Sequence, residues 1–173
     1  KTAINSEEKD EAMNDWAQSH RQLAWWYSLH ESKALILNFD QWEQALLSHG
    51  AKVFKSQRAY LQRGRWHAAF RLALKNELNE RNWLQWPLPE VDRPNEVWLK
   101  GLSLKYRGYI NLSINDNESA KTDFEESELI FKKLYSEMSE SHIFEYIRGT
   151  IKVLEYVSFF DENAKSEAYE IFQ

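Results

Sequence analysis

Five histidines are the first residues of this sequence that could do chemistry: His20, His30, His49, His67 and His142. A zinc site of the His-Glu-x-x-His type needs two histidines four residues apart, and a helical carboxylate site needs Glu-x-x-His. Neither spacing occurs in the chain. Cysteine is absent, so thiol nucleophiles, thiolate ligands and disulfides are excluded. The sequence therefore predicts no metal site.

Motifs for nucleophilic or cofactor chemistry are also missing from the sequence. No serine lies in a Gly-x-Ser-x-Gly turn, and no glycine-rich loop is present to hold phosphate groups. We therefore expect a protein without catalytic activity and without a cofactor. The charged and aromatic residues that could bind a partner then become the candidates for function.

The middle of the chain is basic, whereas both ends are acidic. Residues 52–107 hold 12 basic and 5 acidic residues, while residues 108–173 hold 6 basic and 14 acidic residues. One interpretation of the basic segment 52–75 is a surface for RNA phosphates. The alternative is a solvated face, or an internal complement to the acidic ends. The net charge of −5 favours this alternative, and nucleic acid is not the expected partner. The basic residues of this segment are Lys52, Lys55, Arg58, Arg63, Arg65, Arg71 and Lys75.

A dense acidic run follows in the last third of the chain. It could form a surface for a basic partner protein, because complementary charge steers association. It could equally be a solvated helix face whose carboxylates favour the positive end of the helix dipole. The candidate partner-binding acids are Asp116, Glu118, Asp123, Glu125, Glu126 and Glu128.

Two of the eight tryptophans, Trp83 and Trp86, lie in a proline-rich connector at residues 83–95, where helix is excluded. We expect them to be less buried than the others, and exposed tryptophans are frequent anchors of protein interfaces. They complete the set of candidate partner-binding residues.

Apolar residues recur at steps of three, four and seven, which predicts helices, and glycine and proline are scarce. The expected fold is all-α, with seven or eight helices in antiparallel pairs that stack as a compact array. We expect a single domain over residues 1–173, with a possible subdivision at the connector 83–95. Gly50 is expected to end the second helix. Gly64 is expected to separate a helix at 51–62 from one at 66–80. The helix at 142–160 is apolar on two sides.

The adjacent Trp25 and Trp26 fall in the first helix, which we expect to end near His30. Neighbouring residues lie about 100° apart around a helix, so the pair requires a broad apolar arc. Trp26 shares a stripe with Trp16 and Leu23, and we expect it to be buried. Trp25 is either packed on a second side or exposed to a partner.

Two segments have small and aromatic residues at the spacing of helical repeats, "YLQRGRWHAAFRLAL" and "LSLKYRGYINLSINDNESAKTDFEES". In the second, Gly108 is followed after twelve residues by Ala120, and then by Phe124 and Ser127. This pattern resembles the tetratricopeptide repeat, in which small residues let paired helices touch. The segments lack the proline that ends such repeats. The resemblance implies stacked helix pairs that bind a peptide in a groove.

A small, acidic, cysteine-free helical domain without catalytic motifs is similar in type to bacterial immunity proteins. This resemblance implies a protein that binds and neutralises a toxin, whose basic surface would attract an acidic inhibitor. The alternatives are a tetratricopeptide-like adaptor or chaperone, and an RNA-binding accessory module that uses residues 52–75. No segment is apolar enough to span a membrane, and the polar N-terminus has no signal core, so we expect a cytoplasmic location.

Overall fold

The computed structural model describes residues 6–48, 55–79, 82–138 and 140–173, except for the side chains of residues 6–14, 16, 17 and 20. These ranges form seven α-helices and two short 3₁₀ segments, and they contain no β-strand. The all-α prediction is therefore confirmed. Contacts divide the chain into unit 1, Lys1–Asp92, and unit 2, Arg93–Gln173, with the boundary inside the connector.

Unit 1 consists of three helices, α1 (Ser6–His30), α2 (Ser32–Leu47) and α3 (Lys55–Leu74), followed by a 3₁₀ segment, Asn82–Gln85. Its core is made by one face of each helix, and most of the packing is of α1 and α2 against α3. The residues of this core are Ala24, Leu35, Phe39, Leu46, Leu61 and Ala68.

Unit 2 begins with a 3₁₀ segment, Pro94–Glu96, and continues with α4 (Val97–Ser113), α5 (Asn117–Glu137), α6 (His142–Phe159) and α7 (Glu162–Phe172). Each helix packs against the next along the chain. Asp116 begins α5 by accepting a hydrogen bond from the backbone N–H of Ser119 at 3.1 Å, and Asp161 caps α7 in the same way. The core of this unit is made by Ala120, Phe124, Phe131, Leu134 and Ile151.

Gly64 lies inside α3, so the prediction that it separates two helices is wrong. Glycine in a helix interior costs only about 1 kcal/mol relative to alanine. Tertiary packing outweighs that cost here, because nearly every residue from Gln57 to Ala73 is buried. The predicted end at Gly50 lies outside the described residues, and α3 ends at Leu74 rather than at residue 80.

The prediction that Trp26 is buried is also wrong, since its side chain is 50% exposed. The buried line of α1 consists of the small residues Ala24 and Ser28, which allow α3 to approach closely. Trp25 lies at the edge of that line, where the Arg63 guanidinium is 3.7 Å above its ring and the His67 ring stacks at 4.7 Å. The largest residues therefore flank the helix contact, and the smallest ones make it. The side chain of Trp16 lies outside the described residues.

Unit 2 depends on close contacts between glycine and phenylalanine. A methyl group placed on Gly108 would lie 2.8 Å from the Phe124 ring, closer than such contacts allow. We expect Gly108→Leu to overpack the α4–α5 pair and to lower the free energy of unfolding by about 1–3 kcal/mol. Urea unfolding followed by circular dichroism measures this change.

Gly64 supplies the matched control when each of the two glycines is changed to alanine. A methyl group there would meet the Ala24 carbonyl oxygen and the Leu35 side chain only at ordinary distances of 3.7 and 3.8 Å. Gly64→Ala should therefore leave the free energy of unfolding unchanged or raise it by up to about 1 kcal/mol. Equal destabilisation by Gly108→Ala and Gly64→Ala would contradict the close-contact account.

The two adjacent tryptophans should differ in their contribution to stability. Trp25→Ala removes the contacts with Arg63 and His67, and we expect it to cost about 2 kcal/mol. Trp26→Ala removes an exposed ring and should cost less than about 1 kcal/mol. Thermal unfolding of the two single variants tests this order, and a larger loss for Trp26→Ala would show that the assignment of the buried line is wrong.

Candidate functional site

The connector tryptophans are buried, so the expectation that they are exposed is wrong. Trp83 is 1% exposed and Trp86 is 8% exposed. Both pack edge-on against Trp66, whose indole N–H donates a hydrogen bond to the carbonyl of Pro87 at 3.1 Å. The prolines prevent an α-helix in this segment, but the segment still contributes side chains to the core. In this conformation neither ring is available to anchor a partner.

The acidic run is not one continuous surface. Asp123 and Glu128 are buried, Asp116 caps α5, and Glu126 pairs with Lys100 at 2.7 Å. Glu118 and Glu125 are exposed, and the side chain of Glu126 is partly exposed beside Lys100. The acids on one side of α5 therefore pack against neighbouring helices, and those on the other side are exposed to solvent.

Asp123 holds α4 against α5. Its carboxylate accepts hydrogen bonds from the Arg107 guanidinium at 2.6 and 2.9 Å and from the side-chain amide of Asn111 at 2.9 Å. Such a two-pronged pair is geometrically specific, and removing one partner leaves a buried charge without compensation. Sequence reasoning placed this residue on a binding surface, but its contacts are internal.

A second group of charges joins α5, α6 and α7. Arg148 lies 3.4 Å from Glu128, and Lys152 pairs with Glu155 at 3.0 Å and with Glu167 at 3.1 Å. Burial raises the pKa of Glu155, and its hydrogen bond to Lys152 offsets this only in part. Burial alone would lower the pKa of Lys152, but the two carboxylate partners raise it. These charges join the three helices.

Much of the basic segment 52–75 is also engaged inside unit 1. Lys55 pairs with Asp92 and Arg58 with Glu43, each at 2.6 Å. The Arg65 guanidinium lies over the Trp86 ring at 3.7 Å and 3.5 Å from Asp40. Together with the Arg63 contact to Trp25, this pattern favours an internal complement of charge over an RNA surface.

The histidines and carboxylates do not assemble a metal centre in the described part of the chain. His67 is buried, and its Nδ1 lies 3.0 Å from the hydroxyl of Ser28. His20 and His49 lie outside the described side chains. None of the helices within the described ranges is long and apolar enough to cross a membrane.

An exposed apolar stripe runs along α6, and it defines the candidate site. Its residues recur at steps of three, seven, four and three, so they lie on one face of the helix. Val157 is 64% exposed and Phe160 is 82% exposed. The opposite side of α6 contributes Ile151 to the core and Arg148 and Lys152 to the charge group. The stripe consists of Ile143, Tyr146, Val153, Val157 and Phe160.

Helix α7 extends this apolar surface. The Phe172 ring packs over Gly149 and contacts the Tyr146 ring edge-on at 5.9 Å, yet it remains half exposed. Tyr169, on the same short helix, is also exposed. Isolated apolar residues are ordinary on protein surfaces, but a contiguous set marks a region that contacts another molecule.

Phe160 has an unusual backbone conformation at the end of the stripe. It ends α6 with φ 53° and ψ 45°, a left-handed conformation that glycine normally supplies at this position. A bulky residue with positive φ is a strained choice. The ring is exposed, and its contact with Tyr156 is a tilted one at 5.8 Å, so the fold gains little from this residue.

The sequence contained a signal for the stripe, namely that the helix at 142–160 is apolar on two sides. Apolar residues on two sides are what packing between two neighbouring helices would require. The structure buries one side and leaves the other exposed. The choice between these outcomes depends on where the neighbouring helices lie, which the pattern along one helix does not contain.

The buried and exposed acids of α5 should respond differently to removal. Asp123→Ala removes the buried carboxylate that accepts hydrogen bonds from Arg107 and Asn111, and we expect it to lower the free energy of unfolding by about 1–3 kcal/mol. Glu125→Ala removes an exposed charge and should change it by less than about 0.5 kcal/mol. Urea unfolding of both variants measures the difference, and two equal effects would show that Asp123 is not the internal partner of α4.

Comparison of the chain with protein-family models, with curated proteins and with solved structures found no match.

Proposed function

We propose that this chain is a non-catalytic binding protein that recognises a basic partner protein through the α6 stripe of unit 2. The observation that carries the proposal is the exposed apolar surface formed by the stripe and Phe172. A protein interface commonly has an apolar, aromatic centre within a polar rim. The stripe has two aromatic residues, Tyr146 and Phe160, and three aliphatic residues, Ile143, Val153 and Val157.

The charge of unit 2 supports a basic partner. Unit 2 holds 10 Lys and Arg residues against 15 Asp and Glu residues, whereas unit 1 is balanced with 12 of each. Helix α7, which packs beside the stripe, has three glutamates and one lysine. An acidic surface around an apolar centre attracts a basic protein over long range and then excludes water at the contact.

The most specific form of the proposal is an immunity protein that binds and neutralises a toxin. An inhibitor of this kind needs a stable surface and no catalytic group, and a nuclease toxin is basic where it holds nucleic acid. The acidic balance of unit 2 and its apolar stripe fit that requirement. This form rests on resemblance of type and on charge.

A second candidate, a helical-repeat adaptor that binds a peptide, has its own support in unit 2. The α4–α5 pair closes with Gly108 against Phe124, and the α6–α7 pair closes with Gly149 against Phe172. An arginine precedes the glycine in both pairs, and each arginine pairs with an acid of α5. A repeat array consists of helix pairs with similar contacts, and the two pairs of unit 2 share theirs.

The test expresses the products of the genes on either side of its own, selects one that arrests growth, and co-expresses it with this chain, with growth and complex formation as readouts. We expect the wild-type chain to restore growth and to bind the toxin. Val157→Lys places a cation in the stripe against a basic partner and should abolish both. Leu84→Lys is the matched control, because Leu84 is 57% exposed and lies in unit 1, and it should behave as the wild type.

Phe160→Gly separates binding from stability in the same experiment. Glycine adopts the left-handed conformation freely, so the variant should raise the free energy of unfolding by about 0.5–1 kcal/mol while weakening binding. Reversing Glu118 and Glu125 to lysine should slow association at low salt with little effect on dissociation. Full protection by Val157→Lys would overturn the proposed surface, and failure of the wild type to bind would overturn the immunity function.

A further inference from the structure

Unit 1 has two adjoining cavities between the beginning of α2 and the end of α3. The first has a volume of about 200 Å³ and is mostly apolar, with walls that include Ile36, Leu37, Leu78 and Trp86. The second has a volume of about 140 Å³ and is mostly polar. They share Leu72 and two charged residues, so one ligand could occupy both.

The polar cavity has an excess of positive charge. Lys33, Arg71 and Lys75 line it together with Glu31 and Glu77. Lys33 and Glu77 neutralise each other in an ion pair of 2.9 Å, and the hydrogen bond from Lys33 lowers the pKa of Glu77. Among the described side chains neither Arg71 nor Lys75 has an ion-pair partner. Two cations are therefore available to an anion at this cavity.

We propose that unit 1 binds an amphipathic monocarboxylate, with its apolar group in the apolar cavity and its carboxylate at Arg71 and Lys75. Three cations against two acids leave an excess of one charge, which suits a carboxylate better than a doubly charged phosphate. The planar guanidinium of an arginine matches a carboxylate with two parallel hydrogen bonds. This site is in unit 1 and does not depend on the partner surface of unit 2.

The size and the surroundings of the cavities define the ligand further. Together they lie at the small end of the range of about 300–1000 Å³ that small-molecule sites occupy. The polar cavity is also lined by the first residues of α2, whose N-cap residue Glu31 makes no side-chain capping bond. The last residues of α1 and α3 line the same cavity, so the dipoles of these helices oppose that of α2, and the positive field comes from the two cations.

Two sources could supply such a carboxylate, a free medium-chain acid and the apolar C-terminal residue of a peptide. Isothermal titration calorimetry of the full chain with octanoate and with a short peptide ending in leucine distinguishes them. Octanamide, acetate and the amidated peptide are the controls, since each lacks either the charge or the apolar group. We expect octanoate or the free peptide to bind with one-to-one stoichiometry, and each control to bind at least about tenfold more weakly.

Two variants place the ligand in the cavities. Arg71→Gln removes the carboxylate partner and should weaken binding about tenfold. Leu37→Asp puts a negative charge at the mouth of the apolar cavity and should abolish binding, and the fold should tolerate it because Leu37 is 75% exposed. Lys121→Gln, which removes an exposed cation of α5, is the matched control and should bind as the wild type.

The binding results distinguish the two sources of the carboxylate and test the site. Binding of octanoate alone identifies a free acid as the source, and binding of the peptide alone identifies a peptide terminus. Equal affinity of the wild type and Arg71→Gln would overturn the site, because the carboxylate would then lie elsewhere. Failure of both octanoate and the free peptide to bind would overturn it as well.

Discussion

The close approach of paired helices at glycine is the constraint on which unit 2 depends. At Gly101, Gly108 and Gly149 a single added methyl group would lie 2.5–2.8 Å from the ring of Phe131, Phe124 or Phe172. Each contact fixes the distance and the rotation of one helix against the next, because a ring can lie that close only to a bare backbone. The charged groups can therefore pair only with the residues that this helix packing brings close to them.

That geometry explains why charge along the sequence is a poor guide to charge on the surface. Close pairing of α4 with α5 brings Asp123 to Arg107, and the neighbouring pairing brings Glu128 to Arg148. Carboxylates in these positions are used to hold helices, so they are not available to a partner. In unit 1 Arg63 and Arg65 of α3 lie over the rings of Trp25 and Trp86, which shield their charge from solvent.

The same geometry leaves one face of α6 without a neighbour. Its core face packs on α5, its charged face connects α5 and α7, and α7 covers Gly149. On the remaining face Val153, Val157 and the other residues of the stripe are exposed to solvent. At its end Phe160 is exposed and has a left-handed backbone conformation, and it contributes little to the fold.

The sequence by itself determined the helical class, the end of α1, the extent of α6 and the absence of the catalytic motifs, because periodicity and residue type are local properties. It also contained the Gly108–Phe124 pair, since the spacing of small and aromatic residues limits which helix faces can touch. It could not assign Trp26, Trp83 or Asp123 to the core or the surface. Burial and ion pairing depend on which residues distant in sequence become neighbours, and that is a property of the tertiary packing. The stripe on α6 and the two cavities of unit 1 are consequences of tertiary packing for the same reason.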